Sequence, residues 1–149
     1  MNQFAAALGS KFVENKDAIR IRSFELGGHT FNVKVPLTAE FESMQKRMQS
    51  IDEQEVDQFY QELIKDIPEK NGDVVIDGRS MREAAKNKAL VQNRITEMFK
   101  LLVPEDKQFD MNTITYEMIE ELFPFPVQMQ VIEEISKVVS PGYAETRGK

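Results

Sequence analysis

The chain contains no cysteine, a single histidine and no long uninterrupted apolar run. Without cysteine there is neither a disulfide framework nor a thiolate nucleophile, a composition compatible with a reducing compartment. His29 flanks Gly27-Gly28 and reads as a solvated turn residue. A catalytic triad or a zinc site would have to be built around this one imidazole without cysteine, so neither is expected. No segment approaches the roughly 18 consecutive apolar residues of a membrane-spanning helix. The opening MNQFAAALGSKF has no basic region ahead of a long apolar stretch, as a secretory signal would. A cytoplasmic location, with no membrane partner, is therefore expected.

Sites for familiar chemistries are missing too. No glycine-rich loop is spaced to cradle phosphates. Ser80, in GRSMR, lacks the second glycine of a nucleophile elbow and is better suited to capping a helix. Placing Asp77-Gly78 at positions five and six of a calcium loop puts Val75 and Ala84 where oxygen ligands are required. Glu120-Glu121 and Glu133-Glu134 are adjacent pairs, and neighbouring helical residues diverge, so neither pair forms an acid/base dyad. The expectation is a non-enzymatic protein with no catalytic, cofactor-binding or metal-binding residues.

What the chain does have is charge and amphipathic helix. Its 149 residues suit one domain with a real core, 41% of them apolar and 30% charged. The net charge of −6 argues against broad nucleic-acid binding, which depends on neutralising phosphates. The charge is also segregated. Residues 37–70 hold 4 basic and 9 acidic side chains, 79–103 hold 6 basic and 2 acidic, and 114–140 hold 1 basic and 5 acidic. A positive segment between two negative ones suits either internal pairing or contact between copies.

The stretch ITYEMIEELFPFPVQMQVIEEISKVV, residues 114–139, anchors the reading. Met118, Ile119, Leu122 and Phe123 form one helical stripe, and Val131, Ile132, Ile135, Val138 and Val139 another. Pro124 and Pro126 place an elbow between them, because neither residue has an N–H to continue a helix. Pro141-Gly142 is expected to stop the second helix. Phe123, Phe125 and Met129 are the candidate apolar contacts at the elbow. Phe125 stands out because it lies between two prolines and outside both stripes.

The remaining elements follow in order. Residues 2–14 carry Phe4, Leu8 and Phe12 at helical spacing, but Gly9 interrupts them, so 1–16 is either a short helix or a mobile arm. Residues 18–35 read as a hairpin turned at Gly27-Gly28. Ile19 and Ile21 fall on the opposite parity from Phe24 and Leu26, which predicts a bulge near Ser23 or a strand covered on both faces. Thr38 is the expected cap of a helix over 39–49, and Ser50 to Glu53 a capping box for a second helix reaching Ile67. Val74 to Ile76 reads as a third strand beside the hairpin. Ser80 to Glu83 is a second capping box, opening the longest helix, about 81–103, striped by Ala84, Val91, Ile95, Met98, Phe99 and Leu102. Met44, Met48, Met98, Met118 and Met129 all fall in helices, either as core filler or as adaptable contact surface. Arg79, Arg82 and Lys86 align at i, i+3 and i+7, as a surface stripe or an anion-binding patch. The expected fold is α+β and mostly helical. A small antiparallel sheet, from residues 18–35 and 73–77, packs with about five helices, and 142–149 forms a flexible tail.

Read in order, FELGGHTFNVKVPLTAE, VVIDGRSMREAAKNKA, RITEMFKLLVP, ITYEMIEELFPFPVQMQVIEEI and SPGYAETRGK resemble the tail assembly chaperones of long, non-contractile-tailed bacteriophages. The resemblance implies an assembly factor without an active site. Members of that family bind the tape measure protein, keep that long apolar helical chain soluble, recruit tail tube subunits and self-associate. They are absent from the finished virion. They are also often made in a second, longer form by a −1 ribosomal frameshift, and Arg147-Gly148-Lys149 can be encoded with the slippery sequence G-GGA-AAG. A different class remains open from the residues: a small phage or bacterial regulator or adaptor that meets an acidic partner or nucleic acid through the helix from Arg79 to Lys100.

Overall fold

The computed structural model describes residues 2–139. Among the described residues, six α-helices and two short hairpins accompany one long helix. In order they are α1 (Gln3–Leu8), α2 (Ser10–Asn15), β1 (Ile21–Leu26), β2 (His29–Lys34), α3 (Thr38–Gln49), α4 (Glu53–Ile64), β3 (Val75–Ile76), β4 (Arg79–Ser80), α5 (Met81–Phe99), α6 (Tyr116–Leu122) and α7 (Phe125–Val139). The mostly helical α+β class expected from the sequence is what forms. Helix α5 packs against α3, α4, α6 and α7, and α7 also covers the β1–β2 hairpin. The expected stop at Pro141-Gly142, the tail and the Arg147-Gly148-Lys149 end lie outside the described residues.

The β1–β2 hairpin closes through Gly27 (φ 62°) and Gly28 (φ 79°), the left-handed pair that a tight turn of this twist requires. Its register runs unbroken from Ile21↔Lys34 to Leu26↔His29, so there is no bulge at Ser23. The parity conflict is resolved only in part, since Ile21 stays in β1, half-buried on the face opposite Phe24. Ile19 is not in the strand but in a 3-10 turn, Ala18–Arg20, and is exposed. One face of the hairpin then carries Phe24 and Leu26 with Phe31 and Val33, and the Phe24 and Phe31 rings stack at 5.2 Å.

The third chain segment at this hairpin is not Val74–Ile76. It is Leu101–Val103, directly after α5. Lys34 N–H donates to the Leu101 carbonyl (2.9 Å) and Val103 N–H to the Asn32 carbonyl (2.8 Å), bridging Val33 to Leu102. The expected helix to 103 therefore stops at Phe99. Its last apolar residues pair with an open strand edge instead, and Pro104 prevents any further turn.

Helix starts follow the nearest good acceptor. Thr38 is the first residue of α3 rather than its cap. The Glu40 side chain reaches back to accept from the Leu37 N–H (2.8 Å), and that bond, helped by Arg20 at 2.5 Å, holds its carboxyl below the ordinary range. Ser50 does not open α4, because its N–H closes α3 on Arg47 and its carbonyl accepts from the Asn93 amide. Asp52 caps α4 through Gln54 N–H instead (3.0 Å). At α5 half of the expected box forms: Ser80 Oγ accepts from Glu83 N–H, with no return bond from Ser80 N–H to the Glu83 side chain among the described residues. Helix α4 ends at Ile64, short of Ile67, because Pro68 steers Ile67 out of the helical region. Lys65 and Asp66 turn left-handed, and Ile67 is left exposed.

Two apolar cores result. The larger joins Phe24, Val33, Met44, Ile95, Met98, Phe99, Ile119, Val131, Ile132 and Ile135. The smaller holds Tyr60, Ile64, Val74 and Ala85 between α4, α5 and the β3–β4 hairpin. The predicted α5 stripe is rotated: Ala85 and Ala89 are buried, whereas Val91 is exposed. A small face lets α4 approach closely along the first half of the helix.

Asp73 clasps the second hairpin. Its carboxylate accepts from Ser80 Oγ (2.5 Å), Val74 N–H (2.7 Å) and Arg82 N–H (3.2 Å), and the Ser80 hydroxyl leads in holding its pKa below the ordinary value. A carboxyl depressed by folding adds stability that is fully present above its unfolded pKa, about 3.9. That stability is lost as pH falls through the lower folded value. Asp73→Asn is therefore expected to lower the urea midpoint at neutral pH and to flatten the loss of stability below pH ~4. An unchanged midpoint together with an unchanged acid profile would remove Asp73 from the clasp.

Candidate partner-binding groove

Of the six residues singled out by sequence, two come together. Phe125 is the first residue of α7, not a bridge between helices. The break in the chain is shorter than the two prolines suggest. Pro124 supplies the carbonyl that accepts from Val127 and Gln128 N–H (both 2.9 Å), and Pro126 sits in the first helical turn, where no N–H partner is lost. Phe125 therefore belongs to a helical row with Met129, Ile132 and Ser136.

That row forms one wall of a groove along the outer seam of α5 and α7. Three clefts of about 520, 450 and 490 Å³ follow one another along it. The first two share Val91 and Phe125, and the last two share Arg94 and Ser136. Apolar surface dominates the floor. Phe59, Val91, Phe125, Met129 and Ile132 line the first part, and Leu90, Met48, Met98 and Phe41 the last. Phe125 is 51% exposed and Val91 42% exposed, so both present carbon to solvent. From Phe125 to Val139 the wall is 15 residues, about 21 Å long at 1.5 Å per residue.

Charge flanks the groove unevenly. Lys88 and Arg94 rise from α5, with the Lys88 ammonium 4.4 Å over the Phe59 ring. Glu117 and Glu120 of α6 and Glu133 of α7 stand on the other wall. Neither Lys88 nor Arg94 is among the six residues that the sequence patterns mark. Their spacing from Val91, three residues to either side, is the signal that places them beside the apolar row. The methionines divide between core and surface. Met44 and Met98 are buried in the core, Met48 and Met129 are half-buried at the groove, and Met118 is exposed.

The other four candidates are elsewhere. Phe123 turns inward and meets Phe99 edge-on at 5.3 Å. Arg79 lies in β4 rather than on the helix, so Arg79, Arg82 and Lys86 do not share one helical face. Arg82 is committed to structure. It donates to the Gly72 carbonyl, pairs with Glu69 at 3.5 Å and lies 4.0 Å over the Tyr60 ring. That ring is buried, and its hydroxyl has no hydrogen-bond partner among the described residues; burial, with Glu69 behind it, pushes the Tyr60 pKa up. Lys86 is exposed on α5 one turn beyond Arg82, with Arg79 off the helix.

A polar cleft of about 480 Å³ lies between the hairpin and the ends of α3 and α5. Its centre is Glu97, buried, with Arg47 at 2.7 Å and Lys100 at 2.8 Å. Its charges are already paired, so it reads as structure. Among the described residues no group of three or more His, Asp or Glu could hold a metal ion, and no helix is long and apolar enough to cross a membrane. No protein-family model, curated protein or solved structure matches this chain.

Proposed function

We propose that the chain is a non-enzymatic binding protein that holds an apolar helical segment of another protein in the α5–α7 groove. By the resemblance described above, that segment belongs to a phage tape measure protein. The chain then acts as a tail assembly chaperone in the host cytoplasm, keeping the tape measure soluble and recruiting tail tube subunits. The observation carrying this reading is the groove itself: a solvent-facing apolar strip about four helical turns long, with methionines and aromatics presented from α3, α4, α5 and α7. Amphipathic helices are captured by such strips through anchors at i, i+3, i+4 and i+7, and methionine adapts to varied anchor shapes.

The regulator reading has less to stand on. Of the six cations between Arg79 and Lys100, Arg79 is off the helix, Arg82 is bound to the 66–73 loop and Lys100 to Glu97. Lys88 lies over Phe59, which leaves Lys86 and Arg94, two turns apart. That is thin support for a phosphate-tracking surface.

Retention of the purified chain on an immobilised tape measure fragment, with no salt-sensitive binding to duplex DNA, is the expected result. Binding to DNA that weakens steeply with salt, without retention on the fragment, would favour the regulator instead. The second, frameshifted form belongs to the same proposal. It predicts a minor longer product from the native gene, lost when the Gly148 and Lys149 codons are changed silently.

A further inference from the structure

The α5–α7 groove is polarised along its length. Its first cleft, at Phe59 and Phe125, is lined by two carboxylates, Glu117 and Glu120. Neither pairs with a cation among the described residues. Lys88, the one cation in that lining, is engaged over the Phe59 ring. Glu55 of α4 stands near enough to feel the same crowding. Burial, then the charges of Asp52 and Glu117, raise its carboxyl pKa, as happens where carboxylates outnumber cations. The third cleft, at Met48 and Met98, is the reverse. Arg94 is its only charged lining residue, exposed and without a carboxylate partner among the described residues. In the middle cleft Glu133 is already paired with Lys137 at 3.5 Å. The apolar floor therefore runs from an acidic end to a basic one, and the charges at both ends are available to a partner of opposite sign.

We infer that the groove takes an amphipathic helix of one charge order and holds it in one direction. The helix is cationic beside the anchor that reaches Phe125 and anionic beside the anchor that reaches Met48 and Met98. This rests on the groove being the client site and adds the client's chemistry to it. An apolar face at i, i+3, i+4 and i+7 fits the floor in either direction, because burial of carbon has no direction of its own. Flanking charge tells the two directions apart. A helix laid with its cationic end at Glu117 and Glu120 meets opposite charge at both ends of the groove; reversed, it meets like charge at both. Each contact is exposed and weak alone, so the groove sorts clients by their charge order more than by overall affinity.

The test uses two synthetic helical peptides of about 15 residues, the length of the α7 wall, with one shared apolar face of leucine and methionine. The first has two lysines at one end and two glutamates at the other. The second has the same composition with one lysine and one glutamate at each end, so net charge cannot separate them. In anisotropy titrations of the full chain at low salt, the polarised peptide is expected to bind about fivefold more tightly, and the gap should close at about 1 M salt. Glu120→Gln and Arg94→Gln, both at exposed sites, should each narrow the gap without moving the thermal transition. Direction is read by cross-linking, for which a chain without cysteine is suited. A polarised peptide with a cysteine at its lysine end should link on oxidation to Asn87→Cys in the first cleft and not to Gln49→Cys in the third. With the cysteine at the glutamate end the preference should reverse. Peptides that bind alike whatever their charge order, or that link equally to both positions, would overturn the inference and leave the groove standing as a client site. Peptides that bind nowhere in the groove would overturn both.

Discussion

Replacing Gln128 by leucine should cost about 3 kcal/mol of folding stability, although leucine is the more apolar residue. Gln128 is fully buried at the start of α7. Its amide donates to the Phe123 carbonyl at 2.8 Å, and its Oε1 accepts from the Tyr116 hydroxyl at 2.9 Å. One side chain thus ties both ends of α6 to α7 across the proline break. Leucine has nearly the right volume but leaves the carbonyl and the hydroxyl without partners, at roughly 1–3 kcal/mol each where water cannot replace it. Against a total stability of about 5–15 kcal/mol, this is a large fraction. The urea midpoint should fall markedly, with a drop in Tm on the order of 10 °C for a chain of this length. Glu121→Leu, an apolar replacement at an exposed site on α6, should stay within about 0.5 kcal/mol of the parent. A Gln128→Leu protein as stable as the parent would mean the elbow is held by apolar packing alone.

The second large effect concerns binding. Phe125→Ser should leave the thermal transition within a few degrees of the parent yet weaken capture of a tape measure helix by about 2 kcal/mol, roughly thirty-fold. The two effects separate because Phe125 keeps half its surface in solvent and stands at the mouth of the groove. The same replacement two residues earlier should do the opposite. Phe123 packs against Phe99 and the larger core, so Phe123→Ser should destabilise the fold by about 3 kcal/mol or more. Titration of the folded variants with a labelled helix, beside their melting curves, checks both statements. If Phe125→Ser unfolds the protein, Phe125 is core; if it binds as the parent does, the groove is not the client site.

These two residues also show what could be read from sequence. Helix periodicity found α3, α4, α5 and α7 because each has a single repeating apolar face, and Gly27-Gly28 fixed the first hairpin because few turns tolerate two left-handed residues in succession. Phe125 stood out through its prolines, although its place on the groove comes from opening α7 rather than from bridging two helices. Gln128, being polar, does not mark itself as a core residue by composition. Its spacing from Val131, Ile132 and Ile135 places it on the buried stripe, and a polar residue in a core position is a sign of a hydrogen-bonding task. The pairing of Leu101–Val103 with β2 was not legible. An apolar run after a helix looks like more helix until a strand edge is known to lie beside it. The Arg79–Arg82–Lys86 row failed for a related reason. Spacing assumes one continuous helix, and the β3–β4 hairpin claims Arg79 before α5 begins. The groove is a meeting of two helices distant in sequence, and no local pattern encodes it.

Hydrogen exchange of the full chain, with and without a tape measure fragment, reports where a client helix binds. Binding in the groove predicts new protection along α7 from Phe125 to Val139 and along the facing part of α5, with β1, β2 and the cleft around Glu97 unchanged. Protection confined to that cleft, to the Arg82 side of α4 and α5, or absent altogether would contradict it.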